Sequence, residues 1–223
     1  MKLLAGHPLL AYTLATATAL EPRCPIVLVS NDADANDYVS SLWPEVTIHH
    51  RDEANAQDRS PDIAWLQELD TYIYPDDDFL MVLRVTSPFR TAEYLSWMCS
   101  RWVSENDNGA SSMRMVTPTQ AHPGKAWLAT ETGITPVLPF CHADSGVPWH
   151  SSPTQSLPKV YQQTAGAEIT TWGQIRRGSL AGDRVTGYVV TGPAALDINT
   201  TDDWDYAEYL VATKRATLPE VKR

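Results

Sequence analysis

Cysteine is scarce in this chain. Cys24, Cys99 and Cys141 are its only three, widely scattered, which excludes a disulfide framework and a cysteine zinc site and reads as reduced thiols in a cytoplasmic protein. Basic residues are also short: 17 Lys and Arg stand against 27 Asp and Glu, a formal charge of −10. A nucleic-acid partner would need a basic face, so that class falls away. A small anionic substrate does not, because local arginines or a metal can overrule the global sign. No apolar run approaches the ~20 residues of a membrane helix, so no membrane partner is expected. The opening MKLLAGHPLLAYTLATATALEP imitates a secretory leader. Its apolar run is interrupted by Gly6, His7 and Pro8, and only Lys2 is basic. It reads as a turn and a helix, with Pro8 in the first turn and Leu10, Leu14 and Ala17 on one face. The histidines form no chelating pattern, and the adjacent His49 and His50 must point to opposite sides of a strand. The G-x-S-x-G, Walker and G-x-G-x-x-G signatures are absent as well.

What is present is ordinary in amount and informative in order. The chain has 223 residues, 43% hydrophobic and 20% charged, enough for one α/β domain with a small excursion. PIVLVS (25–30) is a buried-type strand, and Asp32 can cap a helix over 32–43. VTIHH (46–50) is a second strand, followed by the polar loop RDEANAQDRSP. A helix over 61–73 carries Ile63, Leu66, Leu69 and Ile73 on one face. FLMVL (79–83) is a strand, 91–104 a helix with Leu95, Met98, Cys99 and Trp102, and 111–116 a strand. Further strands fall at 164–171 and 188–190, and a terminal helix lies within 196–214, capped by Thr200 or Thr201. This alternation predicts a mainly parallel, doubly wound, Rossmann-like sheet with helices on both faces. Between 118 and 162 prolines and histidines accumulate and helical periodicity vanishes. That stretch is too long for a plain connection; it predicts an arm, inserted into a single domain spanning 1–223, that serves a substrate or a second subunit.

The most pointed stretch is FLMVLRVTSPFR (79–90), an apolar strand that ends in two arginines, two hydroxyls and a proline. Open α/β sheets bind ligands just beyond the carboxyl ends of their strands, although a polar surface loop would look the same. Arg84 and Arg90 suit a bidentate grip on phosphate or carboxylate, or pairing with the chain's own acids. Arg51 and Asp58, in a loop that also follows a strand, are open to both readings. Asp197 and Asn199, two apart on an extended segment, can share a magnesium ion or simply cap the following helix. Lys125 is solvated unless its loop folds over a site. The eight tryptophans, Trp97, Trp102 and Trp204 among them, read as core and interface filler.

Seven stretches in sequence order resemble the acylneuraminate cytidylyltransferase family, the CMP-sialic acid synthetases and their relatives. They are GHPLLAYTL, VLVSND, RDEANAQD, LRVTSPFR, HPGKAW, QSLPKVY and LDINTTDDWDYAEYL. The resemblance implies a magnesium-dependent transfer of CMP from CTP to a nine-carbon α-keto sugar acid, with release of pyrophosphate, by a homodimer. Carried over residue by residue, it gives catalytic roles to Arg84 and Asp197. Nucleotide contacts go to Arg51, Asp58, Thr86 and Ser87, substrate contacts to Arg90, Lys125 and Gln155, and Mg2+ to Asp197 with Asn199. A nucleotidyltransferase acting on another acceptor and a truncated or degenerate non-catalytic homologue are the alternatives. The chain departs from the family at Asn199, where many members carry aspartate, at Thr154, where arginine is usual, and at TAGAEI in place of N-G-A-x-Y. It also shows no counterpart of the family's first strand and basic, glycine-rich phosphate loop ahead of GHPLL, so weak CTP binding is expected of the chain as it stands.

Overall fold

The computed structural model describes residues 1–21, 23–57, 59–72 and 74–221. Asp58 and Ile73, both singled out above, lie outside the described residues. Two compact units emerge, one formed by 1–115 with 164–223 and the other by 116–163.

The first unit opens with β1 (Leu3–Leu4) and β2 (His7–Pro8), an antiparallel hairpin. Its two turn residues, Ala5 and Gly6, have φ of 46° and 92°, the left-handed pair that a two-residue hairpin turn demands. Pro8 then caps α1 (Leu9–Thr18) through its extended backbone. Leu10 through Thr16 are all buried, so the leader-like apolar run is a core helix. β3 (Val27–Ser30) is followed by α2 (Ala33–Leu42), whose cap is Asp32 accepting from the Ala35 amide at 3.0 Å. β4 (Thr47–His50) pairs parallel to β3, with Val27 opposite Thr47 and Ser30 opposite His50. α3 (Asp62–Glu68) is shorter than its sequence face predicts and tightens into a 3₁₀ turn over Leu69–Tyr72. β5 (Phe79–Val82) precedes α4 (Ala92–Asp107), which is capped by Thr91. Leu95, Met98 and Trp102 of α4 are buried, whereas Trp97 is exposed and is no core residue.

A four-stranded sheet joins β5 with β6 (Ser112–Pro118), β9 (Tyr161–Thr171) and β10 (Val185–Val189), in the order β10-β6-β9-β5. β9 runs antiparallel to β5, with Val82 opposite Glu168. The short α5 (Trp172–Arg176) follows β9, and α6 (Thr201–Ala212) closes the unit. Strand alternation distributes side chains between two apolar layers. Val27 and Val29 pack against a cluster of Leu66, Val82, Trp172 and Ile175, while Ile26 and Leu28 pack against α1, α2 and α6. The expected α/β class with helices on both faces is therefore the observed one. Among the described residues, no helix is long and apolar enough to cross a membrane.

The second unit contains an antiparallel hairpin of β7 (Trp127–Thr130) and β8 (Gly133–Pro136), with short 3₁₀ turns around it. His122 is buried and organises its base. Nδ1 accepts from the Gly124 amide, so Nε2 donates to the Pro158 carbonyl at 3.0 Å. Leu128, Ile134 and Phe140 of this unit are exposed.

Candidate functional site

β3 and β4 run parallel and so end at the same edge, where the Arg51 amide donates to the Ser30 carbonyl at 3.2 Å. RDEAN then folds into a 3₁₀ turn capped by Asp52, and Glu68 accepts from the Asp52 amide at 3.2 Å. The Arg51 guanidinium donates to the Asn55 carbonyl and lies 5.9 Å from the Trp65 ring centroid. Its Nε is buried, with no hydrogen-bond partner among the described residues.

Past the end of β5, Arg84 reaches the same place. It donates to Asp62 Oδ2 at 2.6 Å and Oδ1 at 3.3 Å, and to Glu168 Oε1 at 2.7 Å. Period-two geometry explains the second partner: Glu168 is opposite Val82, and Arg84 follows two residues later on the same face. Arg114, between the inward-facing Met113 and Met115 of β6, projects to that face too and pairs with Glu168. Glu168 is only 4% exposed at its side chain, while Arg84 is 33% and Asp62 35% exposed. Burial alone would push the Asp62 carboxyl up. Hydrogen bonds from Arg84 and from Trp65 (3.1 Å), with the charges of Arg84 and Arg51, hold it below its ordinary value instead. Burial, followed by the charge of Arg84, lowers Arg114.

The T-S-P loop is fixed from below by Arg90. Its guanidinium donates to the carbonyls of Arg84 (3.1 Å) and Gly166 and to Thr13 Oγ1 at 3.0 Å. A Cβ at Gly166 would overlap Met115 Sδ, so a larger residue there would have to displace that buried side chain. Arg90 is 1% exposed. Arg90 spends both terminal nitrogens on the protein's own oxygens, and among the described residues its buried Nε has no hydrogen-bond partner. Burial pushes it down to about 10, so it is still charged at neutral pH. Ser87 is also 1% exposed and its hydroxyl has no partner, whereas Thr86 is half-buried.

The Thr86 carbonyl accepts from the Ile198 amide at 2.9 Å, which brings the segment 196–199 against the loop. The capping alternative for Asp197 is settled by α6 itself. Thr200 is its cap, Asp203 completes a capping box, and Asp203 Oδ2 also accepts from the Asn199 amide at 3.1 Å. The Thr200 hydroxyl and the two amides hold the Asp203 carboxyl low. Asp197 takes no part, and its buried Oδ1 has no hydrogen-bond partner among the described residues. An orphaned carboxylate oxygen fits a cation ligand. Asn199 is exposed beside it. Among the described residues no group of three or more His, Cys, Asp or Glu could hold a metal.

Arg51, Arg84, Thr86, Ser87 and Asp197 thus belong to neighbouring loops of the first unit. Lys125 and Gln155 belong to the second. Lys125 donates to the carbonyls of His150 (3.0 Å) and Ser152, and Gln155 lies exposed in a 3₁₀ turn. An open concavity of about 340 Å3 in the second unit, lined by His142, Ser145, Ser151, Ser152 and Ser156, holds none of these residues. Sequence reasoning missed Asp62, Arg114 and Glu168. The available signal was the lone acid in the otherwise uncharged strand TAGAEIT, and likewise the lone base in SMRMV.

No protein-family model matches the chain, and no curated protein matches it in sequence. Solved structures do resemble it in shape. The CMP:2-keto-3-deoxy-manno-octonic acid synthetase complexed with CTP superposes with a TM-score of 0.64 at 10% identity, covering 96% of this chain and 91% of that one. The 4-diphosphocytidyl-2C-methyl-D-erythritol synthase of Anaerococcus prevotii gives 0.61 at 11% identity, over 94% and 88%. A further 4-diphosphocytidyl-2C-methyl-D-erythritol synthase gives 0.62 at 15%, over 94% and 93%. These likenesses establish the fold: the chain has the Rossmann-like α/β architecture that the three synthetases share.

Proposed function

We propose that the chain is a cytidylyltransferase that moves CMP from CTP to a sialic-acid-like nonulosonic acid. The observation that carries the reading is the convergence of Arg51, Arg84 and the T-S-P loop at strand ends, with the Thr86–Ile198 bond drawing the orphaned Asp197 oxygen to the same edge. The shared fold supports it, because one structural neighbour holds CTP. In the reaction, the acceptor's anomeric hydroxyl attacks the α-phosphate and pyrophosphate leaves. Arg84 and Arg51 face the developing phosphate charge from fixed positions, which is where catalysis of this kind gains most. Asp197 would hold Mg2+ with Asn199 in reach, the remaining ligands coming from phosphate and water. When bound, that ion neutralises phosphate charge and eases departure of the leaving group. Cys24, Cys99 and Cys141 form no disulfide among the described residues, which suits a cytoplasmic setting.

The test compares the four nucleoside triphosphates, each with magnesium and a nonulosonic acid, by pyrophosphate release. CTP should be used well above the others; equal use of ATP or GTP overturns the cytidylyl reading. A second reading, another acceptor, draws on the erythritol synthases among the neighbours. An eight-carbon keto sugar acid and a methylerythritol phosphate in the same assay separate the two. CTP binding with no turnover on any acceptor would mark a non-catalytic homologue.

β3 ends a two-stranded sheet and β5 ends the four-stranded one, and both pack into one apolar cluster around Leu66 and Trp172. Light scattering at micromolar concentration should give a homodimer, as the exposed Leu128, Ile134 and Phe140 of the arm suggest.

A further inference from the structure

Resting on that reading, we propose that Arg84, seated on Glu168 and flanked by Arg51 and Arg114, binds an oxyanion of the substrate, and that Asp62 occupies this place until the oxyanion displaces it. The two carboxylates touching Arg84 differ in kind. Glu168 is 4% exposed, comes from the sheet, and is shared by two guanidiniums. A carboxylate at that depth is tolerable only when paired, and removing either side leaves an uncompensated buried charge. Asp62 is 35% exposed, comes from the loop-facing start of α3, and meets Arg84 on its outer side. A half-exposed pair of this sort contributes little, because water competes for both members. The inner contact therefore fixes Arg84, and the outer contact is the exchangeable one.

Charge balance gives the ligand its sign. Arg51, Arg84 and Arg114 bring three positive charges against Glu168 and Asp62. If Asp62 withdraws, the three arginines still outnumber the acids beside them, Glu168 and, on the Arg51 loop, Glu68. Guanidiniums match phosphate and carboxylate oxygens in bidentate geometry, and Asp62 already shows that geometry on Arg84, with contacts of 2.6 and 3.3 Å to its two oxygens. Asp62 is a stand-in for the ligand built into the fold. Glu168 acts as a positioning residue, touching the arginines and not the ligand.

The experiment measures binding, which separates it from turnover. Inorganic pyrophosphate and pyruvate serve as phosphate and carboxylate probes, titrated calorimetrically into the whole chain and three variants. Asp62→Asn removes the competing charge while keeping shape, and should tighten one probe roughly two- to fivefold, the scale of one half-exposed ion pair. Which probe responds tells whether the seat takes a phosphate or a carboxylate. Arg84→Ala should abolish that binding. Glu168→Gln should weaken it at least about tenfold, and Glu168→Asp should recover part of it. Salt dependence gives a readout that a purely structural role would not move: the slope should steepen in Asp62→Asn. Should Glu168→Gln fail to fold, the Asp62 arm still decides. Unchanged or weaker binding of both probes by Asp62→Asn overturns the proposal. Tighter pyrophosphate binding without transfer from any nucleotide would keep the seat and remove the cytidylyltransferase reading. Full transferase activity with no change in Asp62→Asn binding would do the reverse.

Discussion

Asp197→Ala is expected to lower pyrophosphate release from CTP at least ~100-fold, the scale of losing a key electrostatic group, while leaving Tm unchanged. The two halves of this expectation have separate grounds. Activity should fall because Asp197 offers a buried, unpartnered carboxylate oxygen on the segment that the Ile198 amide ties to Thr86. Stability should hold because the neighbouring helix does not depend on it. Thr200 and Asp203 make the capping box of α6, with the Thr200 hydroxyl 2.7 Å from Asp203 Oδ2. Thr200→Ala is the internal control, expected to lose about 1 kcal/mol of stability and to retain far more activity than Asp197→Ala. Thermal melts and initial rates on the two variants check this together. An Asp197→Ala enzyme that melts normally and turns over at full rate would remove Asp197 from the site.

The elements that local chemistry dictates were legible in the sequence. Asp32 reads as a cap and is one, and of the two candidates Thr200 and Thr201 it is Thr200 that caps, because a short oxygen-bearing side chain ahead of a helix has one obvious use. The change of texture over 118–162 shows in its prolines and lost periodicity. The strand-end loop at 84–90 was legible as a candidate site because an apolar run stopped abruptly. Side-chain depth was not. Nothing in LRVTSPFR distinguishes a half-exposed arginine from one aimed into the core, yet Arg84 is 33% exposed at its side chain and Arg90 is 1% exposed. The Arg84–Glu168 and Arg114–Glu168 pairings join distant stretches of chain, and they appear only when β5, β9 and β6 are laid side by side. Asp62 looked like an ordinary first-turn acid, and its tie to Arg84 depends on how α3 sits against the strand ends. Even the surface fate of Trp97 against the buried Trp102 required the helix to be docked.

Arg90→Ala is the variant expected to damage folding most. Its guanidinium joins three separated pieces of the unit: Thr13 in α1, the Arg84 carbonyl at the start of the loop, and the Gly166 carbonyl in β9. Alanine would leave those acceptors buried without donors and open a cavity where a long side chain had been. The combined loss should be about 3–5 kcal/mol, within the range for large-to-small core changes with orphaned polar groups. For a chain of this size that corresponds to a Tm lower by roughly 6–20 °C. Lysine should not rescue it, since an ammonium cannot present a planar fork to acceptors on different elements. Urea unfolding should show a lower midpoint with an unchanged slope. The same samples distinguish a structural Arg90 from one that binds substrate. If Arg90→Ala melts within about a degree of the parent but loses affinity for the sugar acid, the guanidinium reaches the ligand. If the melt collapses, and the residual folded fraction binds with parental affinity, Arg90 is the strut that holds the T-S-P loop at the strand ends.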